Sequence, residues 1–270
     1  MRLDHDLHIH TSLSACCSDK QHHTPKNIIA LAEEMNVHTI GFSDHVWQNH
    51  NYQPNGWYRP QDESQIVSLR ETLKSIETPI QILIGCEADT VKPGIFSITP
   101  QFAETLDFVI LSCNHFHIND LVEQPESDSP KHLAKHILKF FRSGATSKFA
   151  TSIVHPLMTL GYMHAFDKTI DYISDAEFLD AFGLAGDNNV AIEITAGFLP
   201  EFSKFNFAIE TPIRYLSLAK QAGCKFTLAT DAHSPEAQRL LPELKTITDA
   251  INLNDDDILP LLRNTKSITN

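Results

Sequence analysis

Asp6-Leu7-His8-Ile9-His10 closes the first apolar run of the sequence with two histidines two positions apart. In a β-strand, residues i and i+2 point to the same face, so His8 and His10 would lie close enough to bind one ion. A histidine in a strand can also simply hydrogen-bond within a polar pocket. The pair alone leaves both interpretations open.

Residues of the metal-binding types recur where later apolar runs end. They are Asp44 with His45, Glu87, His115, His155, and Asp231 with His233. Histidine and carboxylate are the ligands that divalent metals of intermediate hardness select, and a carboxylate such as Glu87 can bridge two ions. Core packing does not account for such a series. The sequence therefore predicts a polynuclear metal site, although spacing alone does not decide between His115 and His117 as ligand.

Short β-like runs alternate with longer helical patterns over nearly the whole sequence. The predicted strands are 7–10, 38–43, 80–86, 106–113, 150–155, 190–195 and 225–230. The predicted helices are 25–35, 60–76, 130–142, 175–184, 211–221, 235–247 and 255–262. Regular β–α alternation predicts a parallel sheet, either open or closed. Only a closed barrel brings all the strand ends to one rim, so a shared metal site requires closure.

Composition limits the class of protein. The 270 residues, 42% of them hydrophobic, suffice for one large domain spanning 1–270, and no apolar run is long enough to cross a membrane. Five cysteines without CxxC spacing and the lack of a secretory signal favour a cytoplasmic protein. The formal net charge of −13 and the absence of a basic stripe argue against long nucleic acid as a partner. Oligomeric state is not encoded in any pattern of this sequence.

Three further residues have expected roles around the metal site. Asp6 is predicted to orient a ligating imidazole, and Glu193 is predicted either to do the same or to pair with a buried basic group. Pro156 is expected to hold His155 in an extended conformation.

The ordered set of these residues resembles the PHP family, named for polymerase and histidinol phosphatase. The family pattern runs through His8-Ile9-His10, His45, Glu87, His115 in Asn-His-Phe, His155 in Val-His-Pro, and Asp231-Ala232-His233. The resemblance spans nearly all of the chain. It implies a distorted, TIM-barrel-like (β/α)7 barrel with two or three divalent metal ions (Zn, Mn or Fe) and phosphoester hydrolysis.

One position departs from the family pattern. Many members carry another histidine six residues after the His-X-His, where this sequence has Cys16. A thiolate is a good ligand for zinc, so Cys16 could complete a third site with His45 and His233. Alternatively, Cys16 is a small buried residue and that site is weak or empty.

The resemblance implies hydrolysis of a small phosphomonoester by a water that bound metal activates, with histidinol phosphate as the family-based candidate substrate. Asp231 belongs to the catalytic set, and His233 or His117 could donate a proton. His117 and His164 could contact substrate, and Arg59, Lys92, Lys204 and Arg214 are candidate phosphate contacts. The alternatives are an oligonucleotide phosphodiesterase or exonuclease, and a metal-binding regulatory module without catalysis.

Overall fold

The sheet and helices follow the predicted alternation. The computed structural model describes residues 1–263. Its strands are β1 His5–Ile9, β2 Thr39–Phe42, β3 Gln81–Lys92, β4 Ile95–Phe96, β5 Phe108–Ser112, β6 Ser152–Val154, β7 Ala191–Thr195 and β8 Phe226–Ala229. Its α-helices are α1 Pro25–Glu34, α2 Ser64–Leu73, α3 Pro100–Ala103, α4 Pro130–Ala145, α5 Phe166–Asp171, α6 Asp175–Asp187, α7 Glu210–Gln221, α8 Pro235–Gln238, α9 Lys245–Ala250 and α10 Pro260–Arg263.

Seven strands form a parallel sheet in chain order, β1-β2-β3-β5-β6-β7-β8, and β4 adds an antiparallel hairpin to β3. All seven predicted strands are confirmed. Most of their residues are buried, as expected when helices cover the outside of a parallel sheet. The prediction of a distorted (β/α)7 barrel is confirmed.

The distortion is concentrated in β3, which is longer than its neighbours. Its first half pairs with β2, from Gln81 to Ile84, and its second half pairs with β5, from Gly85 to Asp89. The strand therefore turns from one partner to the next along its length. This carries Glu87 past the end of β2, where it forms an isolated bridge with His45.

Closure between the first and last strands is short. One bridge joins Ile9 to Ala232, with hydrogen bonds from His10 N–H to the Ala232 carbonyl (2.9 Å) and from Ala232 N–H to the His8 carbonyl (3.2 Å). Side chains add to it: the Asp6 carboxylate accepts from the Thr230 hydroxyl and N–H, and His5 Nε2 accepts from Leu228 N–H. The barrel is thus closed at the end that carries the metal-type residues.

Two helix predictions need correction. The predicted helix 235–247 is divided into α8, a 3-10 turn over Leu241–Leu244, and α9, because Pro242 cannot supply the N–H that a continuous helix needs. The predicted helix 255–262 is a 3-10 turn over Asp255–Asp257 followed by α10. Between them Ile258 is extended and forms a bridge with Phe226.

The other predicted helices are present with shifted ends. Helix α1 begins as expected, with Thr24 accepting from Asn27 N–H and Pro25 in the first turn. Helix α5 was not predicted. Within residues 1–263, no helix is long and apolar enough to cross a membrane.

Candidate metal centre

The strand exits bring the predicted ligand residues together at one rim. His8 and His10 are completely buried, and the others surround a cavity of about 1260 Å³. The ligand residues that line this cavity are Cys16, His45, Glu87, His115, His155, Asp231 and His233. The predicted convergence of side chains from positions 8 to 233 is therefore found.

Glu87 lies at the middle of the cluster. Its Oε2 is 3.2 Å from His8 Nε2 and 3.3 Å from His10 Nε2 and from His45 Nε2. Its Oε1 is 3.1 Å from His155 Nε2 and 3.5 Å from His115 Nε2. Each carboxylate oxygen therefore faces a separate group of imidazoles, which is the arrangement that a bridging carboxylate needs.

Asp231 closes the side of the cluster next to β1. Its Oδ1 is 3.2 Å from His8 Nε2 and 3.4 Å from His10 Nε2. His233 stacks on His10 with ring centroids 4.4 Å apart. Asp231 has φ 54°, so this non-glycine residue adopts a left-handed conformation two residues after the end of β8.

Cys16 reaches the cluster from the loop after β1. Its side chain, His10 and His45 each offer a ligand atom, and these atoms lie within 4.8 Å of one another. The same criterion groups His10 with Asp231 and His233, His8 with His10 and Glu87, and Glu87 with His115 and His155. Cys16 is partly buried and lines the cavity, and its role as a ligand stays a prediction.

The outer nitrogens of several imidazoles are anchored, which leaves their inner nitrogens for the cluster. His8 Nδ1 is 2.9 Å from Glu193 Oε2, His115 Nδ1 is 2.7 Å from Asp89 Oδ1, and His233 Nδ1 is 2.7 Å from the Asp231 carbonyl. A nitrogen that donates to an oxygen carries a hydrogen, so in the neutral imidazole the opposite Nε2 has the lone pair that a metal ion would take. These Nε2 atoms point towards Glu87, Asp231 and each other.

This donor set fits divalent cations. His8 Nε2 and His10 Nε2 are 3.0 Å apart with an oxygen of Glu87 beside both. Converging lone pairs and carboxylate oxygens repel one another unless positive charge lies between them. Mixed nitrogen, oxygen and sulfur donors suit zinc, and the nitrogen and oxygen donors also suit iron or manganese.

The electrostatics of the cluster keep its acids ionised. Burial alone would raise the pKa of Glu87, but the nearby imidazoles of His45, His8 and His115 lower it well below its usual range. Burial likewise opposes ionisation of Cys16, yet the imidazoles of His10, His233 and His45 lower the pKa of its thiol to about 2. Burial would lower the pKa of His8, but the carboxylates of Asp231, Glu193 and Glu87 raise it well above its usual value.

Asp89 and Tyr58 were missed by the sequence reasoning. Asp89 is buried, sits beside His115 Nδ1 and accepts a short hydrogen bond from the Tyr58 hydroxyl, which is also 3.2 Å from His45 Nδ1. Asp89 could have been found, because it lies two residues after Glu87 on the same strand and so faces the same way. No local signal marks Tyr58, whose contacts depend on the loop after β2.

Two expectations about supporting residues need correction. Asp6 accepts from the His8 backbone N–H and from Thr230, so it supports the barrel closure and does not orient an imidazole. His155 has φ 30° and is not extended, because its N–H donates to Glu193 and its carbonyl accepts from Asn114. Glu193 lies 2.9 Å from His8 Nδ1 and so has the first of its two predicted roles, which is to orient a ligating imidazole.

The cavity beyond the cluster has mixed walls. His117, His164 and Lys204 line it, together with apolar side chains: Trp57, Ile118, Met158, Leu160, Met163, Phe202 and Phe205. Burial lowers the pKa of His117 to about 4, and the charge of His115 acts in the same direction. Gly161, with φ 98°, packs closely on the backbone of His117. A Cβ at position 161 would lie 2.8 Å from the backbone nitrogen of His117.

Of the four candidate phosphate contacts, only Lys204 lines this cavity. Arg59 and Lys92 border two smaller depressions elsewhere, and Arg214 donates to Asp175 and to backbone carbonyls of the α5–α6 region. Phe116 and Phe198 are buried in the core and do not form the cavity wall.

Comparison with known proteins identifies one family. The sequence model of the PHP domain matches residues 6–197, which is more than half of the chain. The closing residues Asp231 and His233 lie beyond the matched range. No curated protein matches this chain.

A crystal structure of an uncharacterized protein is also similar, with 12% sequence identity and a TM-score of 0.41. The similarity covers 93% of this chain and 74% of the other. At that level it carries no argument about function.

Proposed function

Because the chain belongs to the PHP domain family, we propose that it is a metal-dependent phosphoesterase that hydrolyses a small phosphomonoester. The observation that carries the proposal is the position of Glu87, whose two oxygens face separate groups of imidazoles at 3.1–3.5 Å. A bridging carboxylate of this kind holds two cations at the short separation that phosphoryl transfer uses.

The proposed ligands form overlapping sets. His8, His10, Glu87 and Asp231 would hold one cation; Glu87, His115 and His155 would hold a second; and Cys16 with His45, His10 or His233 would complete a third position. When bound, such cations lower the pKa of a water molecule and neutralise phosphoryl oxygens. The chain's part is to fix the donors through Glu193 and Asp89 and to exclude bulk solvent by burying His8 and His10.

The residues around the cavity supply the remaining roles. Lys204 lines the cavity and is the proposed contact for a phosphoryl oxygen. If His233 is not held by metal, it is the stronger candidate for proton donor to the leaving oxygen. Asp231 and Cys16 raise its pKa although burial and the charge of His10 lower it, whereas the pKa of His117 is lowered. His117 would then accept a hydrogen bond from substrate.

The shape of the site favours a monoester over a polymeric diester. The cavity of about 1260 Å³ is large enough for a phosphorylated metabolite, and apolar side chains form part of its wall. Among the described residues that line it, Lys204 is the sole lysine or arginine, whereas a nucleic-acid strand requires a row of basic groups. Histidinol phosphate and other small phosphorylated metabolites, including nucleotides, remain candidate substrates.

The test compares p-nitrophenyl phosphate with bis(p-nitrophenyl) phosphate on metal-replete protein, followed by a panel of phosphorylated metabolites. We expect faster hydrolysis of the monoester, complete loss of activity on chelation, and loss in His10→Ala. The matched control is His50→Ala, which removes an exposed histidine outside the cluster.

Three other results of these assays would contradict the proposal. Faster cleavage of the diester would replace the monoesterase by a phosphodiesterase. Activity that survives His10→Ala would show that it comes from a contaminating enzyme. Full metal occupancy without turnover on any phosphoester would make the protein a metal-binding module.

A further inference from the structure

Cys16 differs from the other four cysteines in its surroundings. Cys17, Cys86, Cys113 and Cys224 are buried, whereas Cys16 is partly exposed and lines the cavity beside the cluster. Its ligand atom lies within 4.8 Å of those of His10 and His45. A sulfur atom is therefore grouped with two imidazoles at a position that solvent and ions can reach.

The loop that carries Cys16 is held in place by hydrogen bonds on both sides of it. Ala15 N–H and the Ser14 hydroxyl both donate to Gln61 Oε1, at 2.9 and 3.3 Å, and the Ser14 hydroxyl is 3.0 Å from Cys16 Sγ. At the start of the loop, Thr11 donates to Asp44 through its N–H and its hydroxyl, both at 2.6 Å. Further along, Ser18 N–H donates to the His233 carbonyl. The position of the sulfur is fixed by this framework before any ion binds.

The donor types are not the same throughout the cluster. The groups around Glu87, His115 and His155 and around His8 and Asp231 contain only nitrogen and oxygen donors, which accept manganese, iron or zinc. The group containing Cys16 adds a soft thiolate, which favours zinc and disfavours the hard ions magnesium and manganese.

From this difference we propose that Cys16 makes one position of the centre selective for a thiophilic ion such as zinc, while the remaining positions accept harder ions. This inference rests on the metal centre assigned under the proposed function. It predicts a mixed response to metal supply: manganese would fill the nitrogen–oxygen positions and leave the thiolate position to zinc.

The test uses cobalt(II) as a spectroscopic probe, because cobalt bound to a thiolate shows an intense near-ultraviolet sulfur-to-cobalt charge-transfer band. The full chain, stripped of metal and loaded with cobalt, should show this band. Cys16→Ser should abolish it, and Cys16→His should keep the cobalt but lose the band. Cys17→Ser is the matched control and should leave the band unchanged, because Cys17 contacts the His233 carbonyl and lies outside the sulfur–imidazole group.

Competition between zinc and manganese gives a second measurement. Elemental analysis after dialysis against both ions should find zinc retained in the wild type. Loss of a residue that only orients a metal ligand lowers metal affinity by about 10–100-fold. In Cys16→Ser, the zinc affinity at that position should fall by more than this, because a ligand atom itself is lost. Cys16→Asp should shift the preference towards manganese, because it replaces sulfur by oxygen.

The outcomes separate this inference from the proposed function. A cobalt spectrum and zinc content that do not change in Cys16→Ser would overturn the assignment of Cys16 as ligand. If activity alone were lost in that variant, Cys16 would instead act on the substrate. A charge-transfer band in a protein that hydrolyses no phosphoester would leave the thiolate ligand standing and refute the phosphoesterase.

Discussion

At the scale of single residues, the site depends on side chains whose orientation is set from outside the cluster. Glu87 contacts imidazoles through both oxygens, and Glu193 and Asp89 hold the outer nitrogens of His8 and His115. His155, directly after β6, and Asp231, two residues after β8, have positive φ angles of 30° and 54°. Such conformations are costly for non-glycine residues and persist only where surrounding contacts impose them.

Glu87→Gln tests the bridging role. An amide has one acceptor oxygen and no charge, so it cannot serve both groups of imidazoles. We expect bound metal and phosphomonoesterase activity to fall by more than about 100-fold, beyond the range for an outer partner. Glu104→Gln, an exposed change after α3, is the control and should behave as wild type. Normal metal content in Glu87→Gln, measured by elemental analysis, would contradict the assignment.

Asp89→Asn tests the support of His115. The amide has one acceptor oxygen, so the Tyr58 hydroxyl and His115 Nδ1–H cannot both still donate to this side chain. Metal affinity, measured by competition with a fluorescent chelator, should fall by about 10–100-fold. Asp120→Asn changes an acid of the same cavity that pairs with Asn55 and should leave that affinity unchanged. Equal affinities in the two variants would show that Asp89 does not position a ligand.

At the scale of elements, the sequence predicted which strands and helices exist better than it predicted where they begin and end. All seven parallel strands were found, because continuous apolar runs bounded by polar residues are a strong local signal. The extension of β3 to Lys92 and its hairpin with β4 were missed, since the hairpin depends on pairing between Thr90 and Phe96. The break in helix 235–247 could have been predicted from Pro242.

Ser174→Ala tests how a helix start contributes to stability. Ser174 accepts from Glu177 N–H, and the Glu177 carboxylate accepts from Ser174 N–H, so the two residues form a capping box at the start of α6. Removing the hydroxyl should lower the free energy of unfolding by about 1 kcal/mol. Ser217→Ala, an exposed change within α7, should alter it by less than about 0.5 kcal/mol. Urea denaturation of both variants at equal metal concentration measures the difference, and equal values would refute the capping role.

At the scale of the whole molecule, the centre exists only because β1 and β8 meet. Their contact consists of one bridge, two backbone hydrogen bonds and a few side-chain bonds. An open sheet with the same strands would leave Asp231 and His233 far from His8 and His10. Barrel closure and metal binding are therefore expected to be thermodynamically linked.

Two threonine substitutions at β8 test the closure. The Thr230 hydroxyl donates to Asp6 at 2.5 Å, whereas the Thr227 hydroxyl, also buried, has no hydrogen-bond partner within residues 1–263. Thr230→Val should lower the free energy of unfolding by about 1.5–3 kcal/mol, because it removes a hydrogen bond to a carboxylate.

Thr227→Val should leave the stability unchanged or raise it, since it removes a buried hydroxyl that makes no bond. Both are measured by urea unfolding at a fixed metal concentration. A Thr230→Val protein as stable as Thr227→Val would show that the Asp6–Thr230 contact does not contribute to closure.

The local sequence determined the seven parallel strands, most of the helices and the residues that gather at the rim. It could do so because hydrophobic periodicity and the chemistry of histidine and carboxylate side chains are readable one segment at a time. Tertiary structure alone decided the conformation of His155, the role of Asp6, and the contacts of Tyr58 and Asp89. Each of these depends on hydrogen bonds between residues far apart in sequence, and no local pattern specifies which distant donor meets which acceptor once the barrel closes.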